Sequence, residues 1–175
     1  ASEDIYDYRE ISLARLTRCP VHIAHVSTGV SVELIRRAKE EGLPVTAETA
    51  PHYFTLDHAS VVGYDTRYKV NPPLRTSGDV AQIKKGLADG VIDVIATDHA
   101  PHDSLEKEVE FDNAAFGMIG LQTALPLTLE LVRDGVITLS DAIRKLSSNG
   151  AAILSIPGGE IKEGKGADLA IIDMD

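Results

Sequence analysis

Three side chains that can move protons or bind a metal follow the apolar run VIDVIAT: Asp98, His99 and His102, in the stretch VIDVIATDHAPH. Ile92, Val94 and Ile95 are β-branched, and a run of this kind reads as a strand buried on both faces. The loops at the carboxyl ends of parallel strands form the ligand crevice of α/β proteins. Asp98 and His102 at that position could act as metal ligand, general base or anion partner. Asp98 as a helix cap and the histidines as solvated loop residues is the plain alternative, so the rest of the chain has to decide.

The elements around that stretch alternate. Residues 2–18 place Ile5, Tyr8, Ser12 and Leu16 at helical spacing, with acids in the first turn and Arg15 and Arg18 near the end. Strands are expected near 21–26 (VHIAHV), 45–49 (VTAET) and 91–97, and each ends in or just before a histidine or aspartate. A helix over about 31–41 closes at Gly42, and a short one is expected near 57–62. Another, capped by Ser77 or Asp79, runs to about Asp89-Gly90. Between them KVNPPLR cannot be helical throughout, because the prolines extend Asn71 and Pro72 and present Asn71 on a stiff loop. Helices over about 121–133 and from about Ser140 follow, with a shorter one, AAILSI, after them. The tail GEIKEGKGADLAIIDMD reads as two short strands around a Gly-rich turn. Strands alternating with helices indicate an α/β chain with a parallel sheet.

Composition narrows the function. A formal net charge of −10 without a Lys/Arg cluster argues against nucleic-acid binding. No apolar run approaches the roughly 20 residues of a membrane span, and the acidic first residues show no secretory signal. Cys19 is the single cysteine, which rules out an internal disulfide and suits a reducing, cytoplasmic compartment. It stands before Pro20 at the mouth of an apolar run and reads as structural.

A catalytic zinc takes three protein ligands and an open position. His25 and Asp98 stand where ligands from parallel strands converge, with His22 and His52 as competitors. His22 and His25 lie three apart, so in a continuous strand they point to opposite faces and one of them can reach the site.

The blocks VHIAHVSTGVSVELIRRAKEEGLPVTAETAPHYF, KVNPPLR, DVIATDHAPHDSLEK and AAFG closely resemble, in consistent order, the dihydroorotase branch of the cyclic amidohydrolases. The resemblance implies a metal-dependent (β/α)8 TIM-type barrel of pyrimidine biosynthesis, of which this chain holds strands six to eight. It divides the chain into a partial barrel over 1–155 and a β-strand tail over 156–175 from a small accessory domain. By the same resemblance His25, on strand six, is a zinc ligand, and Asp98, ending strand eight, binds the other of two zinc ions and is the general base. Asn71, His102, Phe116 and Gly117 match positions that hold the substrate, dihydroorotate or carbamoyl-aspartate. His52 is not counted as a ligand, and Arg75 and Lys69 read as solvated charges or as a soft field for an anion.

A whole barrel takes about 250 residues. The HXH pair of strand one, the bridging residue of strand four and the strand-five histidine have no counterpart here. The expected molecule is therefore a partial enzyme, inactive alone, whose partners are the missing N-terminal barrel, a second copy or aspartate transcarbamoylase. The alternatives are an allantoinase- or hydantoinase-like enzyme and a non-catalytic interaction domain.

Overall fold

A computed structural model describes residues 2–173. Helix α1 (Ser2–Thr17) leads into strand β1 (Val21–Ile23), helix α2 (Gly29–Glu40) and strand β2 (Val45–Thr49). Helix α3 (Pro51–Thr55), two 3-10 turns (His58–Val61 and Thr66–Tyr68), helix α4 (Ser77–Ala88) and strand β3 (Val94–Ile95) follow. The chain closes with α5 (Ser104–Lys107), α6 (Leu121–Arg133), α7 (Leu139–Ile143), a π-helical turn (Arg144–Ser148) and α8 (Asn149–Leu154).

The strands form one parallel sheet in the order β1-β2-β3, with Val21 opposite Val45 and Thr49 opposite Ile95. In β2 the side chains alternate: Val45, Ala47 and Thr49 are buried on the helix side, while Thr46 and Glu48 are half-buried on the other face. The first face packs on a core that includes Ile23, Val32, Ile35, Ile83, Leu87, Ile92 and Ile95. Helix α2 contributes the stripe Val32, Ile35 and Ala38, starts at Thr28, whose side chain accepts from Ser31 N, and ends where Gly42 turns left-handed at φ 72°.

Several expectations change. The α1 stripe of Ile5, Tyr8 and Leu16 is exposed, and the helix instead buries Asp7, Ile11 and Ala14 against the core. β1 ends at Ile23, two residues before His25, and His25 itself has φ 59°. β3 is short because the Asp93 carboxylate takes the Ala47 N–H and the Lys39 ammonium at the start of the ladder. Pro51 opens the short helix α3 directly after β2, since its fixed φ suits the first helical turn. The cap of α4 is Thr76, whose hydroxyl accepts from Asp79 N while the Asp79 carboxylate accepts from Thr76 N, a capping box. Thr138, not Ser140, caps α7, and the two expected C-terminal helices join through the π turn. Lys145 and Asn149 on that segment donate to the Ile92 and Asp93 carbonyls and tie it to β3.

The tail forms no strand among the described residues; 156–173 are mostly exposed, with Leu169 and Ile171 largely in solvent. A strand forms against a partner edge, and no described strand lies beside this segment. Met174 and Asp175, the end of the expected β tail, lie outside the described residues.

Candidate active site

The carboxyl ends of all three strands meet at one place. His25 follows β1, His52 lies in the first turn of α3 just after β2, and Asp98 follows β3. His25 Nε2 stands 3.5 Å from Asp98 Oδ1, and His52 Nε2 stands 3.8 Å from Asp98 Oδ2. Both His25 and Asp98 adopt left-handed backbone, at φ 59° and 46°. Residues that carry a β-carbon occupy that region at a cost; Arg18, Tyr64 and Ser155 do so elsewhere in the chain.

The expectation that His22 and His25 face opposite ways is overturned. Because β1 stops at Ile23 and His25 turns left-handed, both rings reach the same carboxylate. Glu48 Oε2 lies 3.2 Å from His22 Nε2, and Glu48 Oε1 lies 3.2 Å from His25 Nδ1. His22 Nδ1 in turn lies 2.8 Å from Thr46 Oγ1, its cross-strand partner. The two imidazoles hold the Glu48 carboxyl down to about pKa 2, and the Glu48 hydrogen bond in turn raises His25, with burial working against it.

His52 is 4% exposed, leans on the Tyr53 ring, and its Nε2 is buried with no hydrogen-bond partner among the described residues. Burial, with a smaller contribution from the charge of His25, lowers its pKa to about 4, so it is neutral at pH 7. Burial pushes Asp98 above the ordinary carboxylate range; His25 opposes that shift and Glu48 adds to it.

Donors on one tetrahedral zinc, each about 2.0–2.2 Å from the ion, stand roughly 3.3–3.6 Å apart. His25 Nε2 and Asp98 Oδ1 have that separation, so the two side chains stand close enough to share one divalent ion, where the resemblance expected each on a different ion of the pair. No group of three or more His, Cys, Asp or Glu among the described residues is arranged to hold a metal by itself.

The other predicted residues flank the site. His102 donates from Nε2 to the Phe116 carbonyl at 2.8 Å, and its Nδ1 lies 3.0 Å from Glu106 Oε2. Asn71 is exposed on a loop whose Pro72 carbonyl accepts from Tyr53 Oη at 2.8 Å, so residues adjoining His52 and Asn71 are directly linked. Gly117 has φ 133°, and a β-carbon there would lie 2.5 Å from Ala100 Cβ. Its N–H donates to the Lys69 carbonyl. Lys69 and Arg75 are not solvated charges. Lys69 is 6% exposed, donates to the Phe111 and Asp112 carbonyls and faces the Phe116 ring at 4.4 Å. Arg75 donates to Ser27 Oγ and to Glu3. His99 Nδ1 accepts from Gly120 N and Leu121 N, satisfying the first amides of α6.

Sequence reasoning missed Glu48 and the reach of His52. The signal for Glu48 was its place two residues after Thr46, on the face of β2 that also carries the partner of His22.

The chain is 59% identical over 165 residues to a dihydroorotase of Syntrophotalea carbinolica, covering 94% of this chain and 39% of the relative. It is 56% identical to a dihydroorotase of Pelotomaculum thermopropionicum, covering 100% of this chain and 41% of that protein. The chain thus spans about 40% of the length of these curated relatives. Among solved structures, a dihydropyrimidinase from Brevibacillus agri superposes with a TM-score of 0.89 at 27% identity, over 94% of this chain and 38% of that one. A D-hydantoinase from Bacillus sp. AR9 gives 0.88 at 27% identity, with the same coverage. The parallel α/β fold is therefore of the TIM-barrel type. With the family's sequence profile matching residues 7–175, this chain belongs to the amidohydrolase family.

Proposed function

We propose that this chain is the part of a dihydroorotase that supplies barrel strands six to eight, as β1, β2 and β3, with residues 156–175 belonging to a small accessory β domain. The observation that carries the reading is the level of identity: 52–59% to dihydroorotases over 94–100% of the chain, against 27% to the solved dihydropyrimidinase and hydantoinase. The reaction is hydrolysis of dihydroorotate to carbamoyl-aspartate and its reverse.

In this reading His25 and Asp98 hold metal, taken as zinc in a two-ion centre, with further ligands from barrel strands outside this chain. A metal held there would supply a water of pKa about 7 and polarisation of the scissile carbonyl. Asp98 accepts the proton of the attacking water and delivers it to the departing amide nitrogen. Its two carboxylate oxygens stand 3.5 Å from His25 Nε2 and 3.8 Å from His52 Nε2. Asn71, Phe116 and Gly117 orient the ring. His102 binds the substrate carboxylate once its exposed contact with Glu106 opens.

The two outer edges of the sheet and the exposed α1 stripe are the surfaces that meet the rest of the barrel. Self-association or docking to aspartate transcarbamoylase would use what remains. The protein is read as cytoplasmic on its single free cysteine; no described helix is long and apolar enough to cross a membrane.

The test is turnover of dihydroorotate, dihydrouracil, hydantoin and allantoin by the complete protein. Dihydroorotate is expected to have the highest kcat/KM. A preference for dihydrouracil or hydantoin would move the assignment to the hydantoinase branch, and no turnover of any would leave a non-catalytic domain.

A further inference from the structure

The polar face of β2 carries an ordered chain of groups that ends at the site. Thr46 Oγ1 is 2.8 Å from His22 Nδ1, His22 Nε2 is 3.2 Å from Glu48 Oε2, and Glu48 Oε1 is 3.2 Å from His25 Nδ1. The last member, His25, points Nε2 at Asp98. One assignment of protons satisfies every contact. The threonine hydroxyl donates to His22 Nδ1, so His22 carries its proton on Nε2 and donates it to the carboxylate. The other carboxylate oxygen then accepts from His25 Nδ1–H, which leaves the lone pair of His25 on Nε2.

We propose that Glu48, oriented by His22 and Thr46, is the positioning residue that fixes the tautomer and the ring direction of His25 as a metal ligand. The inference rests on the proposed ligand role of His25. Cross-strand register supplies the geometry: His22 lies opposite Thr46, and Glu48 is the next residue on the same face of β2. His25 lies two residues beyond the end of β1, and its left-handed φ leaves the ring direction to side-chain contacts. A carboxylate behind a ligating histidine raises its basicity and keeps its ring in place, and removing one costs about 10- to 100-fold in metal affinity. Glutamine at position 48 can still accept from one ring but must turn an N–H₂ group toward the other, so the chain breaks.

The experiment uses the complete protein and two readouts besides activity. Zinc affinity is measured by chelator competition for the wild type, Glu48→Gln, His22→Ala and His25→Ala. Nitrogen-15 ring shifts of the metal-free wild type report the His25 tautomer. The expected results are a loss of about 10- to 100-fold for Glu48→Gln, a smaller loss for His22→Ala, and a His25 ring protonated on Nδ1. Wild-type affinity in Glu48→Gln together with a loss in His25→Ala would overturn the role of Glu48. Unchanged affinity in His25→Ala would overturn the ligand reading beneath it. A metal-free His25 protonated on Nε2 alone would overturn the proposal even if the variants failed to fold.

Discussion

Replacing Asp7 by asparagine should stabilise the protein above pH 6 and do little near pH 4. Asp7 lies on the buried face of α1, 8% exposed, with Oδ2 lacking a hydrogen-bond partner among the described residues. Burial is the main cause that lifts its pKa from 3.8 to about 6; the charges of Glu3, Asp4 and Glu10 add to it and a Ser31 hydrogen bond offsets part. A carboxyl with a raised folded pKa binds its proton more tightly in the native state. Its folded form is therefore favoured at low pH, and stability is lost as pH rises from about 4 through about 6. A rise of roughly two units at 1.36 kcal/mol each gives a penalty of at most about 3 kcal/mol above that window. Asparagine keeps the shape and removes the charge, while its own buried amide costs something at every pH. The net gain expected for Asp7→Asn is about 1–3 kcal/mol at pH 8. Urea unfolding of wild type and variant at pH 4 and pH 8 measures it, and the difference between the two pH values cancels the amide's constant cost. Equal stability differences at both pH values would refute the reasoning.

Two other perturbations test how the site is held. Gly120→Ala would put a β-carbon 2.3 Å from the Thr97 carbonyl, directly before Asp98. Stability should fall by about 1–3 kcal/mol and kcat for dihydroorotate by about 10- to 100-fold, with KM changed less. Lys69→Met leaves the Phe111 and Asp112 carbonyls without their donor. It should cost about 1–3 kcal/mol in urea unfolding and raise KM more than it lowers kcat, because Lys69 fastens the loop that carries Phe116 and Gly117.

How much of this was legible in the sequence follows from the range of the interactions. The parallel strands and α2 are set by local signals, β-branched runs and Gly42 at the helix end, while the Thr28 cap that starts α2 two residues earlier than expected was not read. The approach of His25 to Asp98 was legible because strands in one parallel sheet bring their carboxyl ends together whatever their exact length. The Glu48 bridge was not, because it depends on β1 stopping at Ile23 and on which residue of β2 lies opposite His22. Neither is a property of the histidine spacing. In α1 the helix was predicted but its buried face was not: Ile11 and Ala14 form a weaker apolar stripe than Ile5, Tyr8 and Leu16, and packing on α2 and β1 decides. Lys69 looked like a surface charge for the same reason, since the carbonyls that bury it come from residues about forty positions later.

The central claim is that His25 and Asp98 are part of a metal-dependent dihydroorotase site completed by strands outside this chain. The most direct measurement is zinc content and dihydroorotate hydrolysis for this chain alone, then mixed with the N-terminal barrel segment, with Asp98→Asn alongside. The account predicts stoichiometric zinc and turnover in the mixture only, with turnover lost in Asp98→Asn. Stable association of the two parts without zinc or turnover, or full turnover in Asp98→Asn, would contradict it.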